Sequence, residues 1–263
     1  MTLIVGVRCT NGIVLAGDGA VTLGAFGQHT AQQRTARKLT LLQGKIIVGL
    51  SGPVGLAQRF QACLDEGCRA GRYAGRAELA VGIMRQELWQ IVGPEWVAAH
   101  TVANVMGSHI AMEAVLSSAL VAAPLNDHAE LVEFDQQCAP TLATDDLPFM
   151  AVGSARAIAD PFLAFMRHVL WPLGCPTIQD GTFSAVWTLV HAIDTNAGGV
   201  AEPIQVAVLE RQGNDWQARE LVDAELRDHR QAVLDAEGAL KQWRATFAPA
   251  APGAAPPLAP PPP

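Results

Sequence analysis

The sequence is poor in charged and aromatic residues and has no run of basic residues. Charged side chains make up 16% of the 263 residues and aromatic ones 6%, with 18 Lys and Arg against 25 Asp and Glu. The formal net charge of −7 argues against nucleic acid as a partner, because contacts with phosphate need a basic patch. Half of the residues are hydrophobic, so a chain of this length can bury a core and is expected to fold.

Patterns typical of metal sites, bound nucleotides and disulfide frameworks are also missing. There is no HExxH motif, and Gly17-Asp18-Gly19 leads into no Lys-Ser/Thr pair that could cradle a phosphate. The cysteines are odd in number and form no CxxC pair. They are Cys9, Cys63, Cys68, Cys138 and Cys175. We therefore expect reduced thiols, no metal and no cofactor.

Segments that would direct the chain to a membrane are absent from the sequence pattern. The N-terminus lacks a basic region followed by a long apolar stretch, so it does not read as a signal peptide. The most apolar stretch, Ile110 to Leu125, contains Glu113 and is too short to span a bilayer. We expect a cytoplasmic protein without a membrane partner.

The order of the predicted elements favours an α+β fold. The strands are predicted at Leu3–Arg8, Ile13–Ala16, Lys38–Leu42, Lys45–Leu50, Ser117–Ala122, Glu130–Phe134, Phe149–Val152, Ile204–Leu209 and Trp216–Val222. Apolar residues at helical spacing predict two helices after Gly52-Pro53 and two more at Ala155–Leu170 and Thr177–Ile193. Grouped strands and paired helices indicate two stacked sheets between two helix layers, a four-layer αββα sandwich over residues 1–222.

The C-terminal part of the chain has a different pattern. Residues 223–247 carry apolar side chains at Leu226, Val233, Leu240 and Phe247, spaced by seven, which predicts an amphipathic helix. That helix either lies on its own domain or pairs with a neighbouring subunit. Residues 248–263 hold eight of the 17 prolines and are expected to form a disordered, proline-rich tail.

Nucleophile motifs point to the N-terminus. Gly49-Leu50-Ser51-Gly52-Pro53 resembles a nucleophile elbow, but proline stands where GxSxG needs glycine. Thr2 directly follows Met1, which aminopeptidase normally removes before a small residue. A terminal threonine carries a hydroxyl nucleophile and an α-amine, with a pKa of roughly 7.7–8.0, that can act as base near neutral pH. Many ordinary proteins also begin with Met-Thr, so this feature needs support from the rest of the chain.

That support comes from a family resemblance covering about Met1 to Glu210. The stretches Thr-Leu-Ile-Val-Gly-Val-Arg, Gly-Ile-Val-Leu-Ala-Gly-Asp-Gly and Val48-Gly49-Leu50-Ser51-Gly52 resemble the start of proteasome β-type threonine peptidases, especially HslV-like proteins and other bacterial proteasome homologues. The resemblance implies the four-layer fold of the N-terminal nucleophile hydrolases. It also implies a mature chain that begins with the catalytic threonine, here Thr2.

The resemblance assigns further site residues by spacing. Asp18 stands sixteen residues after Thr2, and Lys38 stands fourteen before Gly52, whose amide would form the oxyanion hole. Arg34 and Arg37 are rivals for the lysine position, because the segment between Asp18 and Lys38 is longer than usual for the family.

Two more assignments come from the second half of the chain. Ser154 in a Gly-Ser turn and Asp194, four residues before Gly198-Gly199, would hold the Thr2 amine. Ala197 replaces a serine that many family members have, which should weaken one supporting hydrogen bond. Taken singly, these residues are also common as turn, cap or loop residues.

The resemblance further implies a substrate pocket and an assembly. The pocket residues Val21, Ala36, Leu50 and Val54 are apolar, so a hydrophobic residue is expected before the cut. The expected assembly is a homo-oligomer of stacked rings with six or seven subunits each, acting on unfolded proteins or peptides. A separate ATP-dependent unfoldase is a possible partner. The alternatives are a non-catalytic scaffold of the same fold and an amidohydrolase of small amides.

Overall fold

A computed structural model describes residues 2–25, 28–33, 37–107, 117–195 and 199–247, with the backbone alone at 21–25, 28–33 and 106. The strands are β1 Leu3–Cys9, β2 Gly12–Gly17, β3 Val21–Ala25, β4 Gln28–Gln33, β5 Leu39–Leu42, β6 Ile46–Ser51, β7 Ser118–Leu125, β8 His128–Phe134, β9 Pro140–Leu142, β10 Phe149–Gly153, β11 Gln205–Gln212 and β12 Asp215–Glu220. The helices are α1 Val54–Arg69, α2 Ala77–Met106, α3 Arg156–Leu170, α4 Ile178–Asp194 and α5 Asp223–Ala245.

Two antiparallel sheets form the centre of the described structure. The first sheet has the strand order β10-β1-β2-β11-β12, and the second has the order β5-β6-β7-β8-β9. The β1–β2 hairpin turns at Thr10-Asn11, within the predicted Thr10-Asn11-Gly12 connection, and Gly12 is already paired in β2. The β5–β6 hairpin turns at the predicted Gln43-Gly44, with both residues at positive φ as a tight primed turn requires.

Three clusters of apolar side chains fill the spaces between the layers. One lies between the sheets and includes Ile4, Ile47 and Leu120. The second packs the outer face of the first sheet against α3 and α4, and the third packs the outer face of the second sheet against α1 and α2. Both faces of β1 and β2 are therefore buried, which explains why these strands are apolar runs without polar alternation. The predicted four-layer αββα arrangement is confirmed.

Two strand regions were not predicted. In the described structure β3 and β4 form a separate two-stranded sheet, and their sequences are rich in Gln, Thr and Gly, which leaves few apolar residues for a strand pattern. β9 has three residues, which is too short for a periodic signal. No helix in the described ranges is both long and apolar enough to cross a bilayer.

The C-terminal helix α5 has two different halves. Leu226 and Val233 pack into the cluster shared with α3 and α4, so the first half lies on its own domain. Beyond Val233, the side chains of Leu240, Trp243 and Phe247 are 52%, 60% and 63% exposed. The predicted proline-rich tail at 248–263 falls outside the described residues.

Candidate active site

Thr2 directly precedes β1 and therefore lies at the end of the first sheet where this inner strand begins. Because the strand order is β10-β1-β2, the end of β10 lies on one side of Thr2 and the end of β2 on the other. The backbone N–H of Thr2 donates to Ser154 Oγ at 3.2 Å, and the Ser154 hydroxyl donates to the Thr2 carbonyl oxygen at 3.4 Å. The predicted Gly-Ser turn therefore contacts the main chain of the predicted nucleophile.

Gly153 makes this close approach possible. Its φ of 108° belongs to a region that residues with a Cβ rarely adopt. A Cβ at this position would stand 2.1 Å from the Thr2 carbonyl oxygen. Any other residue here would displace Thr2 or move the end of β10.

Asp18 is fully buried at the end of β2. Its carboxylate accepts hydrogen bonds from the backbone N–H groups of Leu3 at 2.8 Å, Ala20 at 3.0 Å and Ala201 at 3.3 Å. Lys38 Nζ lies 2.5 Å from Asp18 Oδ1. Three amide donors and one ammonium group compensate the buried charge, as a buried carboxylate requires.

Lys38 is 5% exposed and directly precedes β5. Burial lowers the pKa of its ammonium group below the ordinary value, while the charge of Asp18 and its hydrogen bond to Lys38 oppose that shift. Lys38 thus gives up a proton more readily than a surface lysine would. Its backbone N–H donates to Gln205 Oε1 at 2.9 Å, which fixes the start of β5 against β11.

The two arginine rivals do not share this position. The side chain of Arg37 is 76% exposed and lies 3.6 Å from Glu220. Arg34 falls outside the described residues. Within the described structure, Lys38 is the cation paired with Asp18.

Gly52 connects β6 to the start of α1. It has a φ of 139°, Pro53 is the N-cap and Val54 begins the helix. Its N–H therefore lies near the positive end of the α1 dipole, a position suited to stabilising an oxyanion. The assignment of Gly52 as the oxyanion donor stays a prediction.

The predicted pocket residues are only partly described. Leu50 is 7% exposed and faces the α1 and α2 layer, and Val54 is 51% exposed on the first turn of α1. Val21 lies in β3, described by its backbone alone, and Ala36 falls outside the described residues. The pocket stays a prediction.

Asp194 occupies a different environment from Asp18. It is the last residue of α4 and is exposed. Among the described residues it makes no hydrogen bond to Thr2 or Ser154. Ala197 and Gly198, which the sequence places beside it, lie outside the described residues. Its role at the Thr2 amine stays a prediction.

A polar cavity of about 340 Å³ opens next to Ser154. It is lined by Ser51, Ser117, Ser118, Gln136, Val152, Gly153, Ser154 and Arg156. These residues come from both sheets and from the start of α3, so the cavity spans the gap between the two sheets at the edge that also holds Thr2.

Comparison with known proteins identifies the architecture. Residues 2–91 match the proteasome subunit family. The structure of Anbu, the ancestral β-subunit, from Yersinia bercovieri is similar, with a TM-score of 0.67, 15% identity, and coverage of 94% of this chain and 98% of that chain. The chain has the proteasome-type fold. The resemblance predicted from the N-terminal motifs is thereby confirmed.

Two further Anbu structures support the same architecture. A Gly-1 mutant from Hyphomicrobium sp. strain MC1 has a TM-score of 0.67 and 16% identity, covering 94% of this chain and 98% of that chain. A helical assembly from Pseudomonas aeruginosa has a TM-score of 0.64 and 17% identity, covering 95% and 98%. At these identities the similarity establishes the fold. The roles of individual residues have to be argued from their own contacts and burial.

Two residues that position Asp18 and Lys38 were missed by sequence reasoning. Gln205 accepts hydrogen bonds from the backbone of Lys38 and Leu39 across the start of β5. Ala201 donates to Asp18 through its backbone. Both contacts join residues more than 160 positions apart, and no local pattern could have indicated them.

Proposed function

We propose that this chain is a threonine-type endopeptidase of a proteasome-like complex, with Thr2 as nucleophile once Met1 is removed. The observation that carries the proposal is the position of Thr2 between Ser154 and the buried Asp18–Lys38 pair. The first residue provides a hydroxyl nucleophile and, in its α-amine, a proton acceptor. The buried Lys38 provides a cation that lowers the pKa of the hydroxyl, and the N-terminus of α1 at the same edge provides an oxyanion site.

In the proposed reaction Thr2 Oγ attacks the carbonyl carbon of the scissile peptide bond. Its proton passes to the Thr2 α-amine, directly or through water, while Lys38 lowers the pKa of the hydroxyl. The N–H of Gly52 stabilises the oxyanion of the tetrahedral intermediate. The C–N bond then breaks, and the leaving amine takes the proton from the α-ammonium group. Water hydrolyses the remaining ester and releases Thr2.

The proposed substrates are unfolded proteins or peptides with a hydrophobic residue before the cut. This preference rests on the apolar character of Val21, Ala36, Leu50 and Val54. The sequence has no nucleotide-binding loop, so an unfoldase that delivers folded proteins would act from another chain. The proposed location is the cytoplasm.

The proposed assembly is a homo-oligomer. The family resemblance supports stacked rings of six or seven subunits, whereas the P. aeruginosa Anbu structure is titled as a helical assembly. Native mass spectrometry and electron microscopy of the purified protein would distinguish a closed ring from an open helical array.

The proposal is tested in two steps. Intact mass shows first whether Met1 has been removed, since a retained Met1 would leave the Thr2 nitrogen in a peptide bond and unable to act as base. Hydrolysis of a peptide library is then compared among the wild type, Thr2→Ala and the control Thr10→Ala, which alters an exposed threonine in the β1–β2 turn. We expect Thr2→Ala to abolish cleavage and keep the assembly, and Thr10→Ala to behave as the wild type.

Other outcomes would select another function. Complete retention of Met1 in cells with normal aminopeptidase activity, with no cleavage, would indicate the non-catalytic scaffold. Cleavage of small amides but of no peptide would indicate a small-amide amidohydrolase. Cleavage by Thr2→Ala would contradict the mechanism.

A further inference from the structure

The cavity beside Ser154 has a defined place relative to the proposed nucleophile. The strands β5, β6, β7 and β8 of the second sheet are neighbours in that order. At the end of this sheet near Thr2 lie, in the same order across the sheet, the residues Lys38, Ser51, Ser118 and Gln136. Lys38 contacts Asp18 on the β2 side of Thr2, whereas the cavity lies on the β10 side, at Gly153 and Ser154. The cavity therefore lies beside the β10 flank of Thr2, on the side opposite the lysine.

Alternation along β6 separates this cavity from the predicted apolar pocket. Successive side chains of a strand point to opposite faces of the sheet. Leu50 faces the helix layer of α1 and α2, and the next residue, Ser51, lines the cavity. If Leu50 and Val54 receive the side chain before the cut, as the proposed function holds, the cavity is left for the residue after the cut.

The cavity wall offers hydrogen bonds with little net charge. Four serine hydroxyls, the amide of Gln136 and the guanidinium of Arg156 line it. Arg156 is held by two carboxylates, Glu133 at 2.6 Å and Asp160 at 2.8 Å. These carboxylates compensate the charge of the guanidinium, so an acidic substrate side chain would gain little there.

We propose that this cavity binds the substrate residue directly after the cleaved bond and prefers neutral hydrogen-bonding side chains such as Asn, Gln, Ser and Thr. Among the wall residues Ser117 is buried and Ser51 and Ser118 are half-buried, so an apolar side chain of the same size would cover their hydroxyls without offering them partners. Unmade buried hydrogen bonds carry the larger part of such discrimination. The volume of about 340 Å³ leaves ample room for such a side chain. This inference rests on the proposed function.

The test uses two peptides that compete in one tube. They are identical, with a hydrophobic residue before the cut, except that the residue after the cut is Asn in one and Leu in the other, which are nearly isosteric. Mass spectrometry follows both products, so the ratio of the two rates does not depend on the active fraction. We expect the wild type to cleave the Asn peptide about tenfold faster, the effect of roughly one unmade hydrogen bond.

Two neighbouring glutamines provide the variant and its control. Gln136→Leu removes an amide from the cavity wall and should bring the ratio towards one. Gln137→Leu makes the same change one residue later, at a position that does not line the cavity, and should keep the wild-type ratio. Ser118→Ala is a second cavity variant that should lower the ratio in the same direction.

The two proposals fail in distinguishable ways. If the peptides are cleaved in a Thr2-dependent manner but the ratio is near one, or is equal in all variants, the peptidase stands and the subsite inference is overturned. If the wild type cleaves neither peptide after loss of Met1, the proposed function fails and the subsite inference fails with it.

Discussion

The two flanks of Thr2 are built differently. On the β2 flank, Asp18 and Lys38 are 0% and 5% exposed and lie 2.5 Å apart, and backbone donors occupy the rest of the carboxylate. On the β10 flank, Ser154 is exposed and makes two long hydrogen bonds to the main chain of Thr2. One flank belongs to the core and the other to the surface.

This difference indicates that the β2 flank contributes to the stability of the fold as well as to the site, whereas the β10 flank contributes to the site. Breaking a buried, fully bonded ion pair leaves an uncompensated charge in the core. An exposed hydroxyl that loses its partner finds water instead. Substitutions on the β2 flank should therefore weaken the fold together with the site, whereas substitutions on the β10 flank should act on the site alone.

The largest effect is expected from Lys38→Met. It removes the cation and leaves Asp18 buried, which should lower the free energy of unfolding by about 3–5 kcal/mol, the usual cost of breaking a buried pair. Urea unfolding at one fixed protein concentration measures the loss, because the stability of an oligomer depends on concentration.

The matched control for this substitution is Lys45→Met. Lys45 lies 3.0 Å from Asp215, with both side chains largely exposed, and such surface pairs contribute little. The control should leave the urea midpoint near that of the wild type. Equal losses for Lys38→Met and Lys45→Met would show that burial of the Asp18–Lys38 pair has no energetic consequence.

The second prediction tests the close approach on the β10 flank. Gly153→Ala combines an unfavourable positive φ with a clash against the Thr2 carbonyl oxygen. Gly174→Ala has a comparable φ of 129° and nothing within 4 Å of the added Cβ. Backbone strain alone costs about 1–3 kcal/mol, so Gly174→Ala should lose about that much stability, and Gly153→Ala should lose more because of the added clash.

The two glycine variants should also differ in catalysis. Only Gly153→Ala displaces Thr2, so peptide hydrolysis should fall at least tenfold further than in Gly174→Ala, when rates are normalised to folded protein. Initial rates at a temperature where circular dichroism shows both variants folded provide the measurement. Equal rates would mean that the position of Thr2 does not depend on the turn at Gly153.

The two flanks also differed in how far sequence could predict them. The hairpin at Thr10-Asn11-Gly12 and the strands around it are short-range features that the sequence pattern predicted. Asp18 and Lys38 were assigned through the family resemblance, which placed them by their spacing from Thr2 and Gly52. The residues that complete the β2 flank, Ala201 and Gln205, come from the other end of the chain. Ala201 acts through its backbone and Gln205 through a side-chain amide. No sequence pattern distinguishes such groups from those of other residues.

The polar cavity was beyond prediction for a related reason. Its lining residues lie at the ends of strands and at the start of a helix, and only the stacking of the two sheets brings Ser118 and Gln136 next to Ser154. Each is an ordinary surface residue in its own segment. Their common chemistry becomes visible once the topology is known.

The smallest effect is expected from Ser154→Ala. The variant removes one side-chain partner of the Thr2 backbone, and a net hydrogen bond of about 1 kcal/mol corresponds to roughly a fivefold loss in kcat/KM. Because Ser154 is exposed, the free energy of unfolding should change by less than about 0.5 kcal/mol. Peptide hydrolysis and urea unfolding of the same preparation test both parts. A stability loss as large as that of Lys38→Met would place Ser154 in the structural core of the site and remove the distinction between the two flanks.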